Sequence, residues 1–412
     1  MKWLNRFKNF SVYSIGQAVN LISPLLVTPY IIKISGEEGL GKVGICISIC
    51  LILMGILDYS SYLQGTKLIA VNKSDSAYLQ QLLSSVYSYK LLLLTVLLIP
   101  SILIPLLFFP SYKTIFILSL PLLMGHFLNP NWILYGLERY NHTAIYNIVS
   151  KSLYVGSVFL FVNLSDDYIW VNFLNGLATI LIYGYAFVML YKEFNIQFNR
   201  STFAAGIEIV KADYRISLSE FCLSVYQFFP IVIVGAFTGA YNAGIYRVIE
   251  QIFGVLRTFI FLFFNFSYPT VCADIVSSFQ SGFKLWVQYH LVNLLCIAFA
   301  SFLIMYFWQE ILLFFNVNTS DLTHVKSILY LSLLVPILIV ISQAFRQLLL
   351  ALGLMKWYSN VVYLYTAANV MLLLIFIPLW NLKGAFISMI FCEIFAISLY
   401  IFYINKYVKK SL

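Results

Sequence analysis

Leu82 to Phe109 reads LLSSVYSYKLLLLTVLLIPSILIPLLFF, with Lys90 as its single charged residue. An α-helix needs roughly 20 apolar residues to cross the hydrocarbon of a bilayer, and this run exceeds that length. Runs of the same kind recur along the whole chain, so the stretch is the rule of the sequence rather than an exception in it.

Working outward, apolar runs bounded by charges and turn residues fall at 10–33, 41–63, 82–109, 114–136, 142–164 and 168–191, then at 216–239, 243–268, 284–308, 325–350, 357–379 and 383–405. The break between the third and fourth is short, Pro110 to Lys113. Of the 412 residues 61% are apolar and 10% charged, against roughly half and a quarter in soluble domains. A water-soluble surface could not absorb that much Leu, Ile, Phe and Tyr. The expected fold is therefore an all-α integral membrane protein of twelve transmembrane helices.

The formal charge of +9 does not point to nucleic acid. The basic residues stand singly at the ends of apolar runs, where they flank membrane helices on the cytoplasmic side, and no basic stripe is present. With the N-terminus inside, the inner loops and tails hold Lys2, Arg6, Lys8, Lys67, Lys73, Arg139, Lys192, Arg200, Lys211, Arg215, Lys284, Lys356, Lys406, Lys409 and Lys410. The outer loops hold Lys33, Lys42, Lys113, Lys326 and Lys383. That asymmetry places both termini in the cytoplasm. Lys2, Arg6 and Lys8 precede a long apolar segment with no small-residue cleavage site, so the segment reads as a retained first helix.

The six cysteines lie in or beside apolar runs without a CxxC pair and behave as small hydrophobes. His126, His142, His290 and His324 show no metal-ligand spacing. No G-x-S-x-G elbow, P-loop or dinucleotide fingerprint occurs. No metal, cofactor or catalytic residue is expected, and without an ATP site the energy must come from gradients, membrane potential or use of the product.

The longest polar stretch, Lys192 to Arg215, divides the chain into lobes over 1–200 and 201–412 with six helices each. An even count puts both lobes the same way up, as a parallel repeat about an axis along the membrane normal. A weak echo agrees: G-x4-G-I occurs at Gly39 to Ile45 and again at Gly239 to Ile245, and Gly136-Leu137-Glu138-Arg139 and Gly353-Leu354-Met355-Lys356 close the fourth and tenth helices.

Asp58-Tyr59-Ser60 with Gly65-Thr66-Lys67, Asn129-Pro130-Asn131-Trp132 with Tyr135-Gly136-Leu137-Glu138-Arg139, Gly244-Ile245-Tyr246 and Gly353-Leu354-Met355-Lys356 resemble the polysaccharide transporters of the multidrug/oligosaccharidyl-lipid/polysaccharide (MOP) superfamily, in particular the Wzx-type O-antigen flippases. The resemblance extends over nearly the full length through topology. It implies two six-helix bundles around a central cavity that opens alternately to each side of the bacterial inner membrane. It further implies a short oligosaccharide on undecaprenyl pyrophosphate as cargo, moved from the cytoplasmic to the periplasmic leaflet, with membrane lipids and the polymerase and chain-length proteins of the same pathway as partners.

Ionisable residues inside spans cost about 2.5–3.5 kcal/mol on insertion scales and normally mark function. Arg247, Glu250 and Arg257 share one face of the eighth helix by their spacing of three and seven. The two arginines lie about 15 Å apart along the axis, with Gly254 between them. A guanidinium holds phosphate oxygens through paired hydrogen bonds and stays charged, which suits a ladder for a pyrophosphate link. The competing reading is that Glu250 pairs with one arginine to hold the two lobes together. Lys151, Arg346 and Lys90 are further candidate cations, Lys90 being near enough to a helix end to snorkel. Glu250, Glu393, Asp58 and Glu220 are the candidate coupling or pairing carboxylates, Glu250 and Glu393 foremost. Pro24, Pro29, Pro230 and Pro269 fall in or at the ends of helices, where kinks are expected.

Two other functions stay open at this point. A drug or cation antiporter on the same fold would favour acidic residues over arginine. A membrane polymerase or glycosyltransferase would usually need a sizeable extramembrane domain, and no outer loop is long.

Overall fold

The computed structural model describes the backbone of residues 2–108 and 110–411, and side chains over 16, 18–103, 111–275 and 277–407. The flanking cations Lys2, Arg6, Lys8, Lys409 and Lys410 lie outside the described side chains. Among the described residues there is no β-strand.

The chain runs α1 (Lys2–Asp58), α2 (Thr66–Val71), α3 (Ser76–Phe108), α4 (Lys113–Ser119), α5 (Pro121–Phe127), α6 (Asn131–Gly136), α7 (Tyr140–Phe161), α8 (Val171–Glu193) and α9 (Arg200–Ser277). It continues through α10 (Phe279–Tyr306), α11 (Trp308–Phe314), α12 (Leu322–Ser332), α13 (Leu334–Ala351) and α14 (Met355–Ser411). Among the described residues, eight helical segments are long and apolar enough to cross a bilayer.

The difference from twelve separate runs has a physical cause. Ala18–Asp58, Arg200–Ile275 and Met355–Tyr407 contain 41, 76 and 53 residues, so at 1.5 Å per residue each is at least twice as long as ~30 Å of hydrocarbon is thick. Each is interrupted by only one or two non-helical residues: Gly36 (φ 67°), Gly239 (φ 88°), and Trp380 with Asn381 (φ 50°). Glycine adopts positive φ without a Cβ clash, and asparagine tolerates it better than most residues. The chain doubles back past Asn381, since a Cβ on Gly384 would lie 2.8 Å from the Ile377 nitrogen. Pro24, Pro29, Pro230 and Pro269 sit inside α1 and α9 without non-helical torsions. The expected breaks at prolines are displaced to the glycines.

Conversely, the expected fourth run is cut into α4, α5 and α6, with Pro121 opening α5 and Pro130 preceding α6. The tenth is cut at Leu333, three residues before Pro336, whose missing N–H cannot bond the Ser332 carbonyl. The echo at the second and eighth runs also shifts register. Gly239 takes positive φ, whereas in α1 the positive φ falls on Gly36, and a Cβ on Gly39 would meet the Tyr168 ring at 3.3 Å.

The contacts divide the chain into two compact units, Met1–Ser224 and Val225–Leu412, with the boundary inside α9. The first unit is built around Cys50, Leu57, Leu83, Tyr87, Leu123, Phe127, Trp132 and Ile133, all buried. Helices α5 and α8 approach closely there, because a Cβ on Gly176 would lie 2.7 Å from the Leu122 nitrogen. Such small residues let backbones pack where no water drives association.

In the second unit α10 shows the inside-out pattern of a lipid-facing helix. Leu291, Leu295, Phe299 and Phe302 are exposed along one face, while Trp286, His290, Asn293 and Ser301 are buried. The buried polar groups bond across helices: Trp286 Nε1 donates to the Ala344 carbonyl at 2.9 Å. Gln347 Nε2 donates to Ser267 Oγ at 2.9 Å, and its Oε1 lies 2.9 Å from His290 Nε2.

Candidate functional site

The motif stretches that begin at Asp58 and Asn129 meet in the first unit. Asp58 ends α1, Tyr59 takes φ 50°, and a π-helical turn over Ser61–Gly65 leads into α2. Thr66 Oγ1 donates to the Trp132 carbonyl at 2.9 Å, and Asn129 Nδ2 donates to the Tyr62 hydroxyl at 3.4 Å. Tyr62 and Tyr135 make an edge contact at 6.4 Å. A Cβ on Gly65 would lie 2.9 Å from the Trp132 ring, so that glycine is the seat of the indole.

This junction brings three ionisable groups together. Asp58 Oδ2 lies 2.7 Å from His126 Nε2 on α5, and Asp58 Oδ1 lies 3.4 Å from Lys90 Nζ on α3. The Lys90 side chain is 1% exposed and stands 5.5 Å from the Trp132 ring centroid. Lys90 therefore does not snorkel, because a carboxylate and an aromatic face meet it inside the unit. His126 was not among the expected site residues. The signal available was a lone histidine within an apolar run, and spacing alone could not show that it faces Asp58.

Elsewhere in the first unit Lys151 on α7 donates to Asn175 Oδ1 at 3.2 Å and lies 5.7 Å from the Tyr154 ring. It has no ion pair within 4 Å among the described residues. Glu220 is half-buried on α9. At the helix ends Arg139 donates from both terminal nitrogens to Glu193, at 2.7 and 2.5 Å. Those bonds hold the Arg139 guanidinium above its ordinary pKa.

The second unit holds the other candidates. Arg247 Nη1 pairs with Glu250 Oε2 at 2.6 Å. Arg257, half-buried two turns further along α9, has no ion pair within 4 Å among the described residues. Its electrostatic neighbours are Glu393 and Tyr246. Glu393 accepts a short hydrogen bond from the Tyr226 hydroxyl. Between the arginines, a Cβ placed on Gly254 would meet no atom within 4 Å, so that part of the face adjoins open space. Arg346 on α13 donates to Tyr358 Oη at 2.9 Å and to Gln343 Oε1 at 3.2 Å, with the Tyr358 and Phe264 rings at 5.0 and 5.7 Å. No group of three or more metal-ligating side chains occurs among the described residues.

Residues 7–273 match the family model described as polysaccharide biosynthesis protein. The chain belongs to that family. It is 24% identical over 414 aligned residues to the "Putative O-antigen transporter" of Escherichia coli (strain K12), covering 97% of this chain and 96% of that one. Among solved structures it is similar to the lipid II flippase MurJ in an inward closed conformation, with TM-score 0.75 and 15% identity over 95% of this chain and 87% of that one. It is also similar to an inward-facing multidrug resistance MATE family transporter of the MOP superfamily, with TM-score 0.72 and 14% identity over 97% and 100%. This member of the polysaccharide biosynthesis family is thus a multi-pass helical membrane protein with the MOP superfamily fold, and its matched relatives are named transporters and flippases.

Proposed function

We propose that the chain is a flippase that carries an undecaprenyl-pyrophosphate-linked oligosaccharide repeat unit from the cytoplasmic to the periplasmic leaflet of the bacterial inner membrane by alternating access. Twelve crossings arranged as two six-helix lobes, with both termini in the cytoplasm, complete the reading. It is a transporter without a catalytic step, working beside the polymerase and chain-length proteins of its pathway. The full-length likeness to an O-antigen transporter supports this class.

One observation carries the choice of an anionic cargo. Arg257 and Lys151 lack carboxylate partners within 4 Å among the described residues, while Asp58, Glu250 and Glu393 are each engaged by another side chain. A cation held in a low-dielectric span with no carboxylate at bonding distance is poised for an anion. Arg257 is ready to hold phosphate oxygens in a paired geometry, with Lys151 and Arg346 as the further candidate cations, while Arg247 is taken by Glu250 and Lys90 by Asp58. An antiporter of cationic drugs would call for an unengaged carboxylate instead.

The test uses purified protein in liposomes containing an undecaprenyl-pyrophosphate-linked oligosaccharide, with a lectin reporting which leaflet displays the sugar. Wild-type protein is expected to equilibrate the sugar between leaflets faster than protein-free vesicles. Equal rates with and without protein would overturn the reading.

A further inference from the structure

Asp58, His126 and Lys90 come from three helices of the first unit and converge at one point. The carboxylate is bracketed, with one oxygen 2.7 Å from the imidazole and the other 3.4 Å from the ammonium. Lys90 is sealed at 1% exposure, whereas the Asp58 and His126 side chains keep 22% and 19% of theirs open. The Asp58–His126 edge is therefore the more open side of the cluster, with the Lys90 charge locked behind it.

Other groups facing Asp58 do not supply a second countercharge at bonding distance. Tyr62, from the turn after α1, and Tyr89 on α3 lie within its electrostatic reach, and Tyr135 and Tyr183 stand next to Tyr62. From α9, Asp213 accepts a hydrogen bond from Ser60 Oγ at 2.6 Å and lies within electrostatic reach of Tyr89.

From this geometry we propose that Asp58, His126 and Lys90 form a proton-binding site, with His126 the group that accepts the proton and Asp58 the group that holds it there. With Lys90 as ammonium, Asp58 as carboxylate and the imidazole neutral, the cluster carries no net charge. One proton taken from water at the open edge makes an imidazolium and leaves the cluster at +1, and its release restores neutrality. A cluster that changes charge inside a membrane protein changes which conformation is cheapest, because its desolvation differs between states. As the ion-coupling device of transport, a role that rests on the flippase reading above, it would link each crossing of an anionic cargo to a proton. A brace tying α1, α3 and α5 together would need the same contacts but no titration.

The experiment separates these readings and needs no cargo. Full-length protein labelled with 15N-histidine in lipid nanodiscs is titrated, with the resonance absent from His126→Gln assigned to His126. Its ring is expected to pass reversibly from the neutral to the charged form as the pH falls. In Asp58→Asn the midpoint should fall by about one pH unit or more, since a carboxylate favours the charged imidazole. In Lys90→Met it should rise, since a neighbouring cation disfavours that form. A His126 ring that stays in one form throughout the titration, or midpoints unmoved in both variants, would overturn the proposal. If either single variant fails to fold, the one that folds is read alone, and an unmoved His126 midpoint in it would overturn the proposal as well. A wild type that titrates as expected but moves no lipid-linked oligosaccharide would instead retire the flippase reading and leave the proton site standing.

Discussion

Arg247 donates to Glu250 at 2.6 Å along one face of α9, with 16% and 8% of the two side chains exposed. The pair consumes one rung of the expected arginine ladder. Arg257, two turns beyond Glu250, is left without an ion pair among the described residues. Arg247 is thus paired within its own helix, and the proposed cargo role on this face falls to Arg257. Predictions for the face follow from that division.

Arg257→Ala is expected to abolish transport in the liposome assay while leaving the amount of protein in the membrane unchanged. Arg257→Lys should retain a fraction of the wild-type rate, because an ammonium keeps the charge and loses the two-pronged hydrogen bond. Full activity in Arg257→Ala would remove this residue from the cargo path.

Arg247 and Glu250 should couple in a double-mutant cycle. Removing one partner leaves a buried charge unmatched, which costs several kcal/mol, whereas removing both is far milder. The expected result is a thermal midpoint lower in Arg247→Gln and in Glu250→Gln than in the double variant. Additive losses would show that the pair does not brace α9.

Gly254 tests the open space between the arginines. A Cβ there meets nothing within 4 Å, so Gly254→Ala should fold normally and gain about 0.5–1 kcal/mol of helix stability. Gly254→Trp should also fold but slow flipping at least tenfold, on the order of 1.4 kcal/mol in the barrier, by filling space the cargo uses. Wild-type rates in Gly254→Trp would mean that the space is idle.

Gly176 gives the opposite case. Its added Cβ would lie 2.7 Å from the Leu122 nitrogen and 2.8 Å from the Pro121 carbonyl carbon, both backbone atoms that cannot rotate away. Gly176→Ala is expected to destabilise the first unit by about 1–3 kcal/mol, read as a lower unfolding midpoint. An unchanged midpoint would show that α5 and α8 can part without loss.

Much of the fold was legible because hydropathy is a local property. Leu82–Phe109 announces a membrane helix with no knowledge of its neighbours, and the runs around Pro24, Phe299 and Phe391 do likewise. The merged helices were not legible, since a run of apolar residues does not say whether its end is a loop or a one-residue turn at Gly36 or Gly239. The site was legible in part. The Arg247–Glu250 spacing of three puts both on one face, so that pair follows from helical periodicity. Tyr226 bonding Glu393 across 167 positions has no such rule behind it.

By itself the sequence determined that this chain lives in a membrane as bundled helices, which charges lie within the spans, and which short motifs it shares with polysaccharide transporters. Those conclusions need only residue types and their order, because the solvent preference of a helix is the sum of its side chains. Tertiary structure alone decided how charges far apart in the chain are matched. Asp58 meets Lys90 and His126 from 32 and 68 positions away, and pairing at such separations depends on how helices pack, a choice made by the whole core at once.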